Sequence, residues 1–487
     1  MRALEELAKH KGEFGREAAR STIALLEKVA PMRFRDPSDL ILLHETVLFL
    51  RAHPQNARVA RLADAILFSF ADRMRGIDPA PFDDPEVAGI AGTSLSTNFS
   101  WEFATFLRTI KERVEIDWED YAHPERLGVL LGHMIPMAYE DWSVEPHVDW
   151  RRWFETARWT PARVLDEVGD PRVYDLLEIP LRWTLSASAS RSTLRLPRTV
   201  IKQDTFFHDA PFLKRRDVSL EAAFAEPPAP VKQLPPRRAK AVVRTILTAS
   251  ASRYRELYGF QFPDDQHVFH ADLGRGVDLY FFGVPPDHRL PLRAYHCGMF
   301  FKNGVPMGYV ETLSLFERAE VGFNLFYTFR EGETAWLYTR LLKILHEQLG
   351  VTCFSVDPYQ IGHENEEAIE SGAFWFYYKL GFRPASPENA RLGAREEQRI
   401  AKSPTYRTAP ATLRRLAKTP LFYGDSADQW ANFSLHRLGA NVPDLGDDVA
   451  RAKRAPDERR YLLLLQRRPD LRRQILSGRV PLGARRS

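Results

Sequence analysis

Residues 371–384 read Ser-Gly-Ala-Phe-Trp-Phe-Tyr-Tyr-Lys-Leu-Gly-Phe-Arg-Pro, and this run constrains the fold more than any other. Ala373, Phe376, Tyr377 and Leu380 recur at i, i+3, i+4 and i+7, which places them on one face of a short helix. Gly381 can take the left-handed conformation that stops a helix, and Phe382 can then fold back onto the last turn. Upstream of this helix the pattern alternates between strand-like and helical runs. Mixed α/β is the expected class for this half of the chain.

A chain of 487 residues is long for one domain and implies two or three. Hydrophobic residues make up 44%, enough for sizeable cores. No apolar stretch of about 20 residues occurs, so no membrane span is expected. The start, Met-Arg-Ala-Leu-Glu-Glu, is charged and lacks an apolar segment, so no secretory signal is expected either. Cys297 and Cys353, the only cysteines, fall inside apparent strands, which is consistent with a reducing, cytoplasmic setting. Two isolated cysteines give no zinc or iron–sulfur spacing.

Net charge is +4, but residues 451–487 hold 12 Lys or Arg against only Asp457, Glu458 and Asp470. That tail is either a nucleic-acid, acidic-partner or membrane-surface element, or a solvated helix packed through Leu462–Leu465.

Residues 1–226 are expected to form an all-α helical domain. Asp36-Pro37 reads as an N-cap with proline at the first helical position, followed by Leu40, Leu43, Val47 and Leu50 on one face. Val59, Leu62, Ile66 and Phe70 repeat the spacing after His53-Pro54, and further helices are expected over 98–113 and 124–140. Residues 181–226 carry no clear pattern. His123, His133 and His147, with Glu140, Asp141, Glu145 and Asp149, lack the paired-histidine spacing of a zinc helix, so no metal site is expected. Trp142, Trp150, Trp153 and Trp159 read as packing residues.

Five prolines between 227 and 236 predict a stiff linker over 227–237. The next unit, 238–440, opens with a helix over 238–258. Strands follow at 268–273, 278–284, 295–302, 305–315 and 320–329, with Asn303-Gly304 suited to a tight hairpin turn. A helix over 333–349 ending at Gly350, a strand over 351–356 and the Tyr377 helix complete the pattern, and a basic helical tail occupies 441–487.

The Lys379-Leu380-Gly381-Phe382 context resembles the last conserved helix of the GCN5-related N-acetyltransferase (GNAT) family, which reads roughly Ala-x-x-x-Tyr-x-Lys-Leu-Gly-Phe. The likeness covers residues 238–385 and implies a GNAT-like fold in which Tyr377 is the general acid that protonates a departing thiolate. In that family a strand runs into Arg/Gln-x-x-Gly-x-Gly/Ala, whose backbone amides and helix dipole hold the coenzyme A pyrophosphate. The corresponding residues are Phe326, Tyr327, Arg330, Glu331, Gly332, Glu333, Thr334 and Ala335. Glu333 stands where the middle glycine belongs, which adds repulsion toward phosphate. An ordinary strand-to-helix turn is the competing reading of this loop.

The resemblance also suggests Glu320, near the start of the preceding strand, as the base that accepts the amine proton, with Glu311 as a competitor. The loop Asp357–Glu364 has no counterpart in the family, and its position beside the proposed cleft fits part of an acceptor site. The expectation is an acyltransferase moving an acyl group, probably acetyl, from acetyl-CoA or another acyl-CoA to an amine-bearing small molecule or protein. The alternative is a non-catalytic GNAT-like scaffold for a protein or nucleic-acid partner. A relative using aminoacyl-tRNA as donor is a third reading, which the basic tail suits. No dinucleotide fingerprint, phosphate-binding Gly-x-x-x-x-Gly-Lys loop or Gly-x-Ser-x-Gly elbow is present.

Overall fold

The computed structural model describes residues 2–110, 112–128, 130, 149–200, 204–290, 293–403, 405–424, 427–430 and 435–436. The basic tail, most of the helix expected over 124–140, and His133, Glu140, Asp141, Trp142, Glu145 and His147 lie outside these residues.

The N-terminal half begins with helices Arg2–His10, Arg16–Val29, Pro37–Ala52 and Ala57–Phe68. Asp36 caps the third of these by accepting a hydrogen bond from the Ser38 amide at 2.8 Å, with Pro37 in the first helical position. That helix is buried almost all round, from Leu40 to Ala52, and it carries Glu45 into the interior.

This half is not all-α. Strands β1 (Ser94–Thr97), β2 (Arg113–Ile116) and β3 (Leu181–Thr184) form an antiparallel sheet in the order β1-β3-β2. Leu181 and Trp183 are buried while Arg182 and Thr184 are half-buried, so the strand has the alternation of a one-sided sheet. Four residues hold too few repeats of that period to separate it from a helix end. The helix expected over 98–113 covers only Trp101–Thr109, because Ile110 turns to extended backbone.

The second half is built on a nine-stranded sheet. Its strands are β4 (Val231–Gln233), β5 (Phe269–Gly274), β6 (Val277–Phe282), β7 (Ala294–Lys302), β8 (Val305–Leu315), β9 (Arg318–Leu325), β10 (Cys353–Val356), β11 (Arg383–Pro384) and β12 (Leu421–Tyr423). The order across the sheet is β11-β12-β10-β9-β8-β7-β6-β5-β4. The proline-rich segment read as a linker thus contains β4, an edge strand paired with β5. Edge positions are where a sheet tolerates proline, since one side of the strand needs no ladder donor.

Every neighbouring pair is antiparallel except β9 and β10. Between those two the chain crosses over through helix Thr334–Leu349, ended by Gly350 at φ 67°. Pairing is confined to Arg318–Glu320 with Cys353–Ser355. β9 then runs on to Leu325 while β10 stops at Val356, so a gap opens beside Val321–Leu325.

The Asn303-Gly304 turn joins β7 to β8 with φ of 49° and 77°, the left-handed pair such a hairpin requires. Helix Thr334–Leu349 covers the sheet face carrying Val310 and Thr312, through Leu341, Ile344 and Leu345. Each such side chain contributes about 1.5–3 kcal/mol when fully buried. The opposite face carries Tyr295, Tyr309, Glu311 and Glu320, the last three in register across β8 and β9 with Asn324, Gly322 and Leu313. One continuous apolar core runs through both halves of the chain.

Candidate functional site

The gap between β9 and β10 is the natural place for a site, because it leaves one edge of β9 without a strand partner. Helix Ala373–Tyr378 brings Tyr377 beside it. Gly381, at φ 105°, ends that helical segment, and the Phe382 amide returns to the Tyr377 carbonyl at 3.2 Å. The Tyr377 ring packs edge-on against Tyr338 and Phe382. Only 5% of the residue is exposed, and burial pushes its hydroxyl well above the ordinary phenol range.

The gap itself is filled by Gln360. This residue lies on the short 3-10 turn Pro358–Ile361, which follows β10 and is started by Asp357 capping the Tyr359 amide. The Gln360 carboxamide nitrogen donates to the Val321 carbonyl at 3.2 Å, and its oxygen accepts from the Phe323 amide at 3.4 Å. The Tyr377 hydroxyl donates to the same oxygen at 3.2 Å. Gly322 makes room for this: a β-carbon there would lie 3.4 Å from the Gln360 nitrogen. The loop expected to help build an acceptor site therefore supplies the group that occupies the gap.

The loop after β9 makes one 3-10 turn, Tyr327–Phe329, before helix Thr334–Leu349 begins. Its charged residues are all engaged. Glu333 is buried, accepts from the Leu213 amide at 3.0 Å, and pairs with Arg275 at 2.6 Å. Glu331 pairs with Lys11 at 2.8 Å, while Arg330 pairs with Glu86 at 3.3 Å and with Glu367. Gly332 lies against the His53 ring, Thr334 donates from its hydroxyl to the Arg330 carbonyl, and Ala335 is buried. Phe326 is buried under the guanidinium of Arg253 at 4.3 Å, and Tyr327 is exposed. The arrangement brings the sequence-identified loop residues together, but with a carboxylate where a phosphate would need cations. Two like charges at about 4 Å cost about 4 kcal/mol at an effective dielectric of 20.

Beneath this loop lies a charged network that spacing alone does not announce. Glu45 accepts from Arg191 at 2.9 and 3.0 Å and from the Thr328 hydroxyl. The His44 ring bridges Glu45 and the Ser192 hydroxyl, each at 2.9 Å. Burial works to raise the Glu45 carboxyl, but Arg191 and His44 hold it down to about 2. Burial lowers His44 to about 4, against the pull of Glu45. The helical half is thereby anchored to the loop that would receive the donor.

Glu320 stands on β9 opposite Ser355, at the closed end of the gap. Its carboxylate pairs with His436 and lies 3.6 Å from Arg318. The Glu320 bond raises the His436 pKa. Glu320, Asp357 and His436 bring potential ligand atoms within 4.8 Å of one another, a set with the chemistry to hold a divalent cation. The histidine–carboxylate bond and the nearby arginine account for the same grouping without one. Glu311 is half-buried, accepts from the Tyr295 hydroxyl, and burial raises its pKa.

No helix among the described residues is long and apolar enough to cross a membrane. Comparison of the chain with protein-family models, with curated proteins and with solved structures found no match in any of the three.

Proposed function

We propose that this chain is a GNAT-like scaffold that acts by binding a protein or nucleic-acid partner, with its donor slot held shut by its own Gln360. The strand order supports the GNAT-like reading: antiparallel β5–β9, a loop and crossover helix, then β10 parallel to β9 and parting from it after three residue pairs. The observation that carries the non-catalytic reading is the Gln360 carboxamide. It takes up both free backbone groups of β9 and the Tyr377 hydroxyl, the groups a thioester-bearing donor would need. The ion-paired Glu333 and Arg330 support the same conclusion. Calorimetric titration of acetyl-CoA into the full chain tests it. Only dilution heat is expected, and saturable binding would overturn the reading.

A second reading, an acyltransferase that is gated, is favoured by the chemistry of the plug. A carboxamide is the functional group of the pantetheine arm, so Gln360 holds the slot in the hydrogen-bonding pattern a donor would adopt. Under this reading Gln360→Ala gains acyl-CoA binding, and Tyr377→Phe in that background removes any transfer activity. Failure of Gln360→Ala to bind acetyl-CoA leaves the scaffold reading alone.

A further inference from the structure

We infer that the cleft between helix Pro171–Leu177 and the turn after helix Pro236–Ala251 is a binding site for a small organic cation, a primary amine or polyamine. This inference does not rest on the GNAT-like reading. The cleft has a volume of about 500 Å³ and is lined by Asn98, Tyr174, Asp175, Glu178, Tyr254 and Glu256, among others. Three carboxylates line it and neither lysine nor arginine does, although the chain as a whole carries more basic than acidic residues.

Each carboxylate is fixed by the fold. Asp175 accepts from the Trp101 amide at 2.9 Å and Glu256 from the Ser100 amide at 3.1 Å, so one helix start holds both acids. Glu178 is held by Arg126 at 2.9 Å from outside the lining. Burial raises the pKa of Glu256, and the charge of Asp175 adds to this, so a cation between them relieves a cost already present.

The independent sign of a ligand is Tyr174. The residue is only 2% exposed, forms part of the cleft wall, and its buried hydroxyl has no hydrogen-bond partner. It lies within electrostatic reach of Glu256 and Asp175. A buried hydroxyl without a partner carries a penalty of about 1–3 kcal/mol. An ammonium group donates to such an oxygen and to carboxylates together, and the Tyr174 and Tyr254 rings offer faces for its carbon chain.

The test is calorimetry on the full chain with spermidine, with N-acetylated and unsubstituted putrescine as a matched pair. Saturable binding of spermidine is expected, with putrescine at least tenfold tighter than its monoacetyl form, and proton release that grows as pH falls toward the Glu256 pKa. Glu256→Gln and Tyr174→Phe should each weaken spermidine binding by tenfold or more. Since Glu256 also holds Ser100, the Tyr174→Phe protein, which loses no hydrogen bond, guards against misfolding as the cause. Wild-type protein that shows no saturable heat overturns the proposal. Equal affinity for the putrescine pair, or unchanged affinity in both variants, overturns it as well.

Discussion

The hydroxyl of Tyr377 donates to the carboxamide oxygen of Gln360 at 3.2 Å, so the one phenol positioned to serve as an acid is tied to the side chain that fills its cleft. The same oxygen also takes the Phe323 amide, which couples the helix, the inserted turn and the free edge of β9 in one small network.

Gln360→Ala removes three hydrogen bonds and leaves the Val321 carbonyl, the Phe323 amide and the Tyr377 hydroxyl to water or to a ligand. With a net value of about 1 kcal/mol for each bond, and water able to enter the emptied gap, the expected loss is about 1–3 kcal/mol. Urea unfolding of the variant and parent measures it.

Glu45→Ala leaves Arg191 buried without its carboxylate. The expected cost is about 3–5 kcal/mol, the usual consequence of stranding one member of a buried ion pair. Replacing both residues, as in E45M/R191M, should cost less than E45A alone. Comparison of denaturation midpoints among the three proteins decides this.

Acid should destabilise the fold in two stages. His44, held at about 4, and His208, held at about 2 by burial and the nearby Lys302, stay neutral in the folded chain. Below the ordinary histidine value of 6.5 the unfolded chain binds more protons, so stability falls by up to about 1.4 kcal/mol per pH unit for each. Glu45 adds its own loss as pH drops from 4.5 toward 2, because its folded carboxyl resists protonation. His208→Phe, at a site where neither ring nitrogen has a partner among the described residues, should flatten the first stage. Urea unfolding at pH 7, 6 and 5 reads the slope.

His436 should behave in the opposite sense. Its folded pKa is raised by the bond to Glu320, so its contribution is complete below 6.5 and is lost as pH rises through the raised value. The segment it anchors includes Trp430, whose indole donates to Glu317 at 3.1 Å. Hydrogen exchange of 427–436, corrected for intrinsic rate, should therefore accelerate on the alkaline side, and Glu320→Gln should abolish the pH dependence.

What could be read from the chain follows how local each signal is. The Tyr377 helix, its stop at Gly381 and the Asn303-Gly304 turn are decided within a few residues, and each has the backbone its sequence implies. Helix Thr334–Leu349 also stands within one residue of its expected start, since its apolar face persists over four turns. The three strands of the first half were missed because each is only four residues long. Gln360 was assigned to an acceptor loop, since nothing near it in sequence announces bonds to residues 37 and 39 positions away. Glu45 had no signal at all. It stands within an apolar helix, and its partner Arg191 lies 146 residues further along.

Glu45 and Thr328 meet although 283 residues separate them. A fragment cut at the prolines would therefore end up with a wet seam: Thr328 stripped of its acceptor, Phe329 bared, and the first half left holding an unmatched guanidinium. The two halves are obliged to travel together, and any activity reconstituted from either piece would belong to a different molecule.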